Sequence, residues 1–237
     1  MKRAAELFFP RGAECLLCGD PRRADERYCL CPECRVETLA LRLRENVCIH
    51  CMHPLDVRGN CPFCQAGLLS PMSEAYGAFR YTGAAAQLIK LLKFGYQDEA
   101  AETLAAGMAQ CFNPAEYDAL TPVPLHRTRQ RVRGLNQSRL LCELVGARTG
   151  LPVLDMLNRT RKTREQAKLH GAGNRRRNVE GAFQLAADVS GLRLLLVDDV
   201  RTTGATARAC AETLLAGGAK GVALLTAAIA VQFKKHK

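Results

Sequence analysis

Nine of the twelve cysteines fall between positions 15 and 64, and eight of these form four C-x-x-C pairs. A C-x-x-C turn brings two thiolates to one metal ion, and two such turns complete a tetrahedral Cys₄ shell. Taken in chain order, the pairs predict two structural metal sites, because four thiolates leave no position open for water. The first cysteine group consists of Cys15, Cys18, Cys31 and Cys34. The second cysteine group consists of Cys48, Cys51, Cys61 and Cys64.

A disulfide framework is the competing interpretation of so many cysteines, but such frameworks belong to secreted proteins. The N-terminus "MKRAAELFFPRG" lacks the long apolar segment and the cleavage site of a secretory signal. We therefore expect a cytoplasmic protein that holds about two structural zinc ions. Cys29 lies two residues before Cys31 and could replace it as a ligand with a longer spacing, although we favour Cys31.

A second chemical motif occupies residues 194–206, "LLLVDDVRTTGAT". Its apolar run predicts a buried strand, and Asp198 and Asp199 at the end of that strand can accept hydrogen bonds from the vicinal hydroxyls of a ribose. The residues that follow predict a tight loop opening a helix, whose backbone N–H groups, hydroxyls and dipole suit a phosphate. This phosphate loop, residues 202–206, consists of Thr202, Thr203, Gly204, Ala205 and Thr206.

Two basic loops form a third set of candidates. Residues 126–178 hold fourteen Lys and Arg against three Asp and Glu, a local charge equal to the net charge of +11 of the whole chain. So local a bias indicates an anionic partner, and Arg side chains can fork onto the oxygens of a diphosphate. Candidate residues of the first loop are Val123, Arg127, Arg131, Arg133, Asn136 and Gln137. The second loop, 159–178, is long, polar and glycine-containing, which is typical of a lid, with Gln166, Arg175 and Asn178 as candidates.

The elements that must position these residues alternate between strand and helix after residue 75. Strands are expected in "AYGAFRYTG", "YDALTPVPL", "LPVLDML", "LRLLLVDD" and "GVALLTAAI", with one or two helices over 85–112 and another over 136–149. This alternation predicts an α/β fold with a mostly parallel sheet, in which ligands bind at the carboxyl ends of the strands. The Gly-, Ser- and Pro-containing segment 65–74 predicts a boundary between a double ribbon, 1–70, and the α/β domain, 75–237.

Residues 194–206 closely resemble the phosphoribosyl-pyrophosphate (PRPP) motif of type I phosphoribosyltransferases, with Arg201 at a tolerant position. The resemblance implies that Asp198 and Asp199 hold the ribose 2′- and 3′-hydroxyls and that the phosphate loop cradles the 5′-phosphate. It further implies that PRPP binds with Mg²⁺ and that its pyrophosphate lies at the first basic loop.

The chain as a whole resembles the ComF family, which includes competence protein F and its GntX-like relatives. The matching residues, which follow the cysteine pairs in order, are Arg133, Gly134, Asn136, Gln137 and Ser138, then Gln166, Leu169, Asn178 and Phe183. The resemblance implies a phosphoribosyltransferase-like fold behind a double zinc ribbon, and a role in natural transformation or DNA utilisation. Single-stranded DNA is the implied partner, with the DNA-uptake machinery at the cytoplasmic face of the membrane as another.

Two functions stay open on these residues. A phosphoribosyltransferase would use Arg and Mg²⁺ to stabilise the leaving diphosphate, but neither a catalytic residue nor an acceptor site is evident. Only 31 residues follow the phosphate loop, too few for a substantial base-binding hood. A DNA-handling protein that binds PRPP is favoured, mainly on the resemblance and secondarily on charge. Aromatic residues make up 5% of the chain, so base-stacking platforms are not evident, and the oligomeric state is open.

Overall fold

A computed structural model describes residues 14–20, 29–55, 59–94, 97–125, 135–161 and 181–230. Its strands are β1 (Ala75–Arg80), β2 (Ala119–Pro122), β3 (Leu157–Arg159), β4 (Phe183–Leu185), β5 (Arg193–Arg201) and β6 (Gly221–Ile229). Its helices are α1 (Pro32–Ala40), α2 (Pro62–Gln65), α3 (Gly83–Phe94), α4 (Ala100–Met108), α5 (Gln137–Thr149) and α6 (Ala205–Ala216), with a 3₁₀ turn at Pro114–Glu116.

Four strands form a parallel sheet in the order β1-β6-β5-β2. The central strand β6 is a nearly continuous apolar run, and β5 contains four consecutive buried apolar residues, as expected where both faces of a parallel sheet are covered. The predicted α/β class with a mostly parallel sheet and flanking helices is confirmed. Among the described residues, no helix combines the length and the apolarity that crossing a membrane would need.

Side chains of β5 alternate between two hydrophobic clusters, one on each face of the sheet. Leu195 and Val197 pack with buried residues of α3, α4 and α5. Leu194 and Leu196 pack with the alanines, Cys210 and Leu214 of α6. The face covered by three helices and the face covered by α6 are therefore distinct environments, which we call the three-helix face and the α6 face.

The two cysteine groups pack on these different faces. Cys15, Cys31 and Cys34 join the cluster of the three-helix face, and the backbone beyond α1 is tied to β1 by a hydrogen bond from Leu43 N–H to the Ala78 carbonyl (3.0 Å). Cysteines of the second group join the cluster of the α6 face.

Helix limits follow the expected signals. The segment 85–112 forms two helices, α3 and α4. Helix α5 begins after Asn136, whose side chain accepts a hydrogen bond from Ser138 N–H (3.1 Å). It ends at Thr149, and the capping residue Gly150 has a φ of 78°.

The predicted strand in "LPVLDML" is wrong. Only Val153 pairs with β2, as a single parallel bridge to Leu120, and regular strand begins again at Leu157. Pro152 has no N–H to donate, which limits a ladder at this edge. Residues 157–159 instead pair with 183–185 as the antiparallel β3–β4 ribbon, so the chain on either side of 162–180 is held together.

Candidate functional site

The acid pair lies on β5, although not at its end. The strand continues past Asp198 and Asp199 through Arg201, which pairs with Ile229 of β6. The expected strand end is thus wrong by two residues, because β6 is long enough to extend the ladder. The phosphate loop follows directly, and α6 begins after Gly204, whose φ of 72° is in the left-handed region.

Asp198 is half-buried and already has two hydrogen-bond donors. Its Oδ1 accepts one hydrogen bond from Ser138 Oγ, at the start of α5, and another from Asp199 N–H, both at 2.9 Å. Burial and the neighbouring charge of Asp199 raise the pKa of Asp198 to about 7, while the charge of Lys93 acts in the opposite direction. One carboxyl of the pair therefore changes charge close to neutral pH.

Asp199 forms an ion pair with Lys93, with 2.8 Å between Nζ and Oδ2 and side-chain exposures of 20% for Lys93 and 14% for Asp199. Lys93 lies in the last turn of α3, more than a hundred residues away in the chain, and sequence reasoning missed it. A signal was present, since Lys93 follows Ile89 and Leu92 at helical spacing and so belongs to the buried face of α3.

The phosphate loop presents exposed Thr202 and half-buried Thr203 and Thr206 around buried Gly204. The start of α6 leaves backbone N–H groups without intrahelical partners, which is the common basis of anion binding at helix N-termini. A Cβ built on Gly204 would lie 3.4 Å from Cζ of Phe63 and 3.6 Å from the carbonyl oxygen of Leu68. The loop therefore packs against the Cys61–Cys64 turn of the second cysteine group and the segment that follows it.

The first basic loop is described only at its ends. Val123 is buried, its N–H donates to the Val197 carbonyl (2.9 Å), and its own carbonyl accepts from Asn136 Nδ2 (3.3 Å). Gln137 is buried and its Nε2 donates to the Leu92 carbonyl (3.5 Å), which places it under the end of α3. Arg127, Arg131 and Arg133 lie outside the described residues, as do the lid candidates Gln166, Arg175 and Asn178.

Both cysteine groups have the geometry of a tetrahedral metal site. A tetrahedron with metal–sulfur bonds of about 2.3 Å places its sulfurs about 3.8 Å apart. The Sγ atoms are 3.8 Å apart in Cys18–Cys31 and Cys48–Cys64, and 3.5 Å apart in Cys51–Cys61 and Cys51–Cys64. The four Sγ atoms of each group lie within 4.8 Å of one another, and the first group contains Cys31 rather than Cys29. Each group could therefore bind one metal ion such as zinc.

Arg201, expected at a tolerant position, is buried beside the second cysteine group. Its guanidinium carbon lies 4.4 Å from the centroid of the Phe63 ring, and Phe63 stands between two cysteines of that group. Burial lowers the pKa of Arg201, and the charges of Cys51, Cys61 and Cys64 oppose that change. The contact could not be read from the motif, because it joins segments more than a hundred residues apart.

No family model matches this chain. The chain is 33% identical over 220 residues to DNA utilization protein YhgH of Salmonella typhimurium, a match covering 88% of this chain and 93% of the relative. The protein of the same name from Escherichia coli K12 is 30% identical over 216 residues, covering 88% and 86%. Competence protein ComFC of Bacillus subtilis is 24% identical over 212 residues, covering 87% of this chain and 73% of the relative.

Among solved structures, the chain is similar to glutamine phosphoribosylpyrophosphate (PRPP) amidotransferase from B. subtilis, with 21% identity and a TM-score of 0.41. The match covers 59% of this chain and 30% of the amidotransferase chain. The likeness thus spans less than a third of that enzyme's length.

Proposed function

The chain belongs to the family of DNA utilization protein YhgH and competence protein ComFC, and from this premise we propose that it is a cytoplasmic protein that binds PRPP with Mg²⁺ and handles single-stranded DNA. The family membership expected from the motifs is confirmed. The binding of PRPP and the binding of single-stranded DNA are the two proposals to be tested by experiment.

The PRPP proposal depends mainly on the position of the acid pair, which lies on β5 shortly before the phosphate loop. Two carboxylates at Asp198 and Asp199 can accept hydrogen bonds from vicinal ribose hydroxyls, while N–H groups of residues 202–206 donate to the 5′-phosphate. Ser138 and Lys93 hold the two carboxylates in place from α5 and α3. The site is therefore preorganised for an anionic sugar phosphate.

Lys93 has a role in this proposal that the motif alone did not assign. It neutralises Asp199 before the ligand arrives, and its ammonium remains beside the acid pair when a diphosphate brings further negative charge. Mg²⁺, bound by diphosphate oxygens and carboxylates, would supply the remaining neutralisation. The arginines of residues 126–134 are proposed to contact the diphosphate.

We further propose that both cysteine groups hold zinc. Four thiolates per site and tetrahedral sulfur spacing are the donor set and geometry that structural zinc prefers. Elemental analysis of protein purified under reducing conditions should find about two zinc ions per chain. Less than one zinc with disulfides in its place would contradict this assignment.

Calorimetric titration with PRPP and Mg²⁺ tests the ligand. Replacing Asp198 and Asp199 together by Asn keeps their shape but removes charged acceptors worth about 1.5–3 kcal/mol each. The double variant should therefore bind PRPP at least about tenfold more weakly than the unchanged protein. Asp188→Asn, a change at an exposed carboxyl remote from the loop, is the matched control and should have no effect. Equal affinity in the double variant would exclude the acid pair from the site.

The DNA proposal depends on the excess of positive charge in residues 126–178. Among the described arginines of the basic segment, Arg139 pairs with Glu143 and Asp155, and Arg148 pairs with Glu102. Ten of the fourteen basic residues in 126–178 lie in 126–134 and 162–178, outside the described residues. We place the strand-binding charge in those two segments.

Binding of a fluorescent single strand, measured as a function of salt, tests this part. Affinity should fall with a log–log slope of about −0.7 per phosphate neutralised, and sequence preference should be weak. Arg176→Gln should weaken binding and flatten the slope, whereas Arg139→Gln should change little because its charge is already paired. Binding without salt dependence would contradict the proposal. Turnover of PRPP to pyrophosphate with a supplied acceptor would instead identify a phosphoribosyltransferase.

A further inference from the structure

Arg201 is a buried charged residue to which the proposed PRPP site assigns no role. It is 2% exposed, and its Nε, Nη1 and Nη2 lack a well-formed hydrogen bond among the described residues. Cys51 is the cysteine whose side chain interacts with it most strongly. A guanidinium removed from water without a compensating partner costs several kcal/mol. A protein that keeps it there needs a negative group facing it.

The groups around this guanidinium belong to the second cysteine group. The Phe63 ring stacks on one side of it, and the thiolates whose charges act on it are those of Cys51, Cys61 and Cys64. A divalent ion bound by four thiolates keeps a net negative charge on its sulfurs. Such sulfurs accept hydrogen bonds from N–H donors, and partners of this kind tune metal sites. The metal-loaded second group therefore supplies the counter-charge that Arg201 lacks.

We propose that Arg201 is a positioning residue shared by two sites: its guanidinium donates to the metal-bound sulfurs of the second cysteine group, and its backbone anchors the start of the phosphate loop. Metal bound at the second cysteine group thereby supports the binding of the sugar phosphate. The support of sugar-phosphate binding rests on the proposed PRPP function, whereas the contact of Arg201 with the metal-bound sulfurs does not.

Phe63 connects the second cysteine group to the phosphate loop. The guanidinium of Arg201 lies over the Phe63 ring, and Cζ of Phe63 lies 3.4 Å from the position that a Cβ on Gly204 would take. The carbonyl oxygen of Leu68 lies 3.6 Å from the same Cβ position. Loss of the second metal would release the Cys61–Cys64 turn, and with it Phe63, so the loop would lose the surface that shapes it.

The first cysteine group has no corresponding contact with the loop among the described residues. It packs on the three-helix face, with Phe79 in the same cluster. Arg42 there resembles Arg201 in lying over an aromatic ring, 5.9 Å from the Phe79 centroid, but it donates to Gln110 Oε1 (2.6 Å) and the Gly107 carbonyl (3.0 Å). Arg42 also donates to Cys111 Sγ (4.0 Å), a cysteine that belongs to neither group. Arg42 is thus a matched control whose cysteine partner lies outside the two cysteine groups.

The test loads the full chain with zinc and measures release of each ion to an excess of a chromogenic chelator. Arg201→Met should release one of the two ions about 10–100-fold faster and leave the other unchanged. Arg201→Lys keeps the charge but loses the planar fork, so it should lie between Arg201→Met and the unchanged protein, and it remains usable if Arg201→Met does not fold. Arg42→Met should release both ions at the unchanged rates. The sulfur-to-metal charge-transfer band of the cobalt-substituted protein should shift in both Arg201 variants and stay unchanged in Arg42→Met.

Titration of the same zinc-loaded variants with PRPP and Mg²⁺ tests the coupling. Arg201→Met should bind PRPP several-fold more weakly, and Arg42→Met should bind it normally. Unchanged zinc release and an unchanged cobalt band in both Arg201 variants would overturn the metal contact. Faster release with unchanged PRPP affinity would overturn the coupling. If the unchanged protein binds no PRPP, the proposed function fails, and the release rates still decide whether Arg201 contacts the metal site.

Discussion

The first and second cysteine groups repeat the same pairs of C-x-x-C turns, yet they pack on opposite faces of one parallel sheet. The first lies on the three-helix face, against β1 and α3. The second lies on the α6 face, where Phe63 contacts both Arg201 and Gly204. Equal spacing in the sequence therefore gives two similar metal sites with different neighbours, and only the second has a described contact with the phosphate loop.

Under the proposed function, this difference would let a structural metal site support a second site without touching its ligand. A loop with left-handed backbone at Gly204 needs a firm surface behind it if its N–H groups are to stay aimed at one phosphate. The turn Cys61–Cys64 supplies that surface through Phe63. The first cysteine group instead stabilises the edge of the sheet, where Arg80 N–H donates to the Leu41 carbonyl (2.9 Å).

The largest effect that separates the two regions is expected from their buried aromatic rings. Phe63→Ala and Phe79→Ala each remove a buried ring that lies under an arginine, and each should lower the free energy of unfolding by about 3–5 kcal/mol. Only Phe63→Ala should also weaken PRPP binding. Urea unfolding and calorimetry on both variants measure the two effects, and an equal loss of PRPP affinity in Phe79→Ala would remove the distinction between the regions.

A smaller effect is expected from glycines that share a backbone conformation. Gly204 and Gly191 have φ of 72° and 74°, so replacement by Ala costs either of them about 1–2 kcal/mol of strain. Gly204→Ala also adds a methyl group beside Phe63, whereas a Cβ at Gly191 meets nothing within 4 Å. PRPP affinity should fall a few-fold in Gly204→Ala and stay constant in Gly191→Ala. A drop of the same size in both would mean that strain, not the contact with Phe63, matters.

The smallest expected effect is a pH dependence of the free energy of unfolding, and it depends on Asp198 of the acid pair and not on either cysteine group. The pKa of Asp198 is about 7 in the folded protein and about 4 in the unfolded chain. The folded state therefore binds this proton more tightly, so the stability it contributes is complete below pH 4 and is lost as the pH rises to 7. Asp198→Asn should raise the free energy of unfolding, relative to the unchanged protein, more at pH 8 than at pH 5.

A control with the opposite sign is available at Asp188. Hydrogen bonds from the Ser190 hydroxyl and backbone lower the pKa of Asp188, so its contribution is present above the unfolded pKa and is lost as the pH falls below it. Asp188→Asn should therefore leave the profile between pH 5 and 8 unchanged. Urea unfolding at the two pH values measures both, and a flat profile for Asp198→Asn would place that carboxyl in a more solvated environment.

Elements with a local signal could be predicted from the sequence, and contacts between distant segments could not. The C-x-x-C turns, β5, β6 and the phosphate loop each depend on neighbouring residues, and the structure has them near the expected positions. The strand expected at 151–157 failed because an apolar run alone does not show that Pro152 limits its pairing. Two contacts of the site could not be predicted for another reason. Lys93 contacts Asp199, and Phe63 contacts Arg201, only because the fold brings distant segments of the chain together.

The second cysteine group is expected to support the phosphate loop, and the first is not. Removal of one ligand from each group tests this expectation most directly, with Cys64→Ser for the second group and Cys18→Ser for the first. Titration with PRPP and Mg²⁺ after metal analysis should find at least about tenfold weaker binding in Cys64→Ser. In Cys18→Ser the affinity should stay within about twofold of the unchanged protein, although one metal ion is lost. Equal affinities in the two variants, or a greater loss in Cys18→Ser, would mean that the second cysteine group does not support the loop.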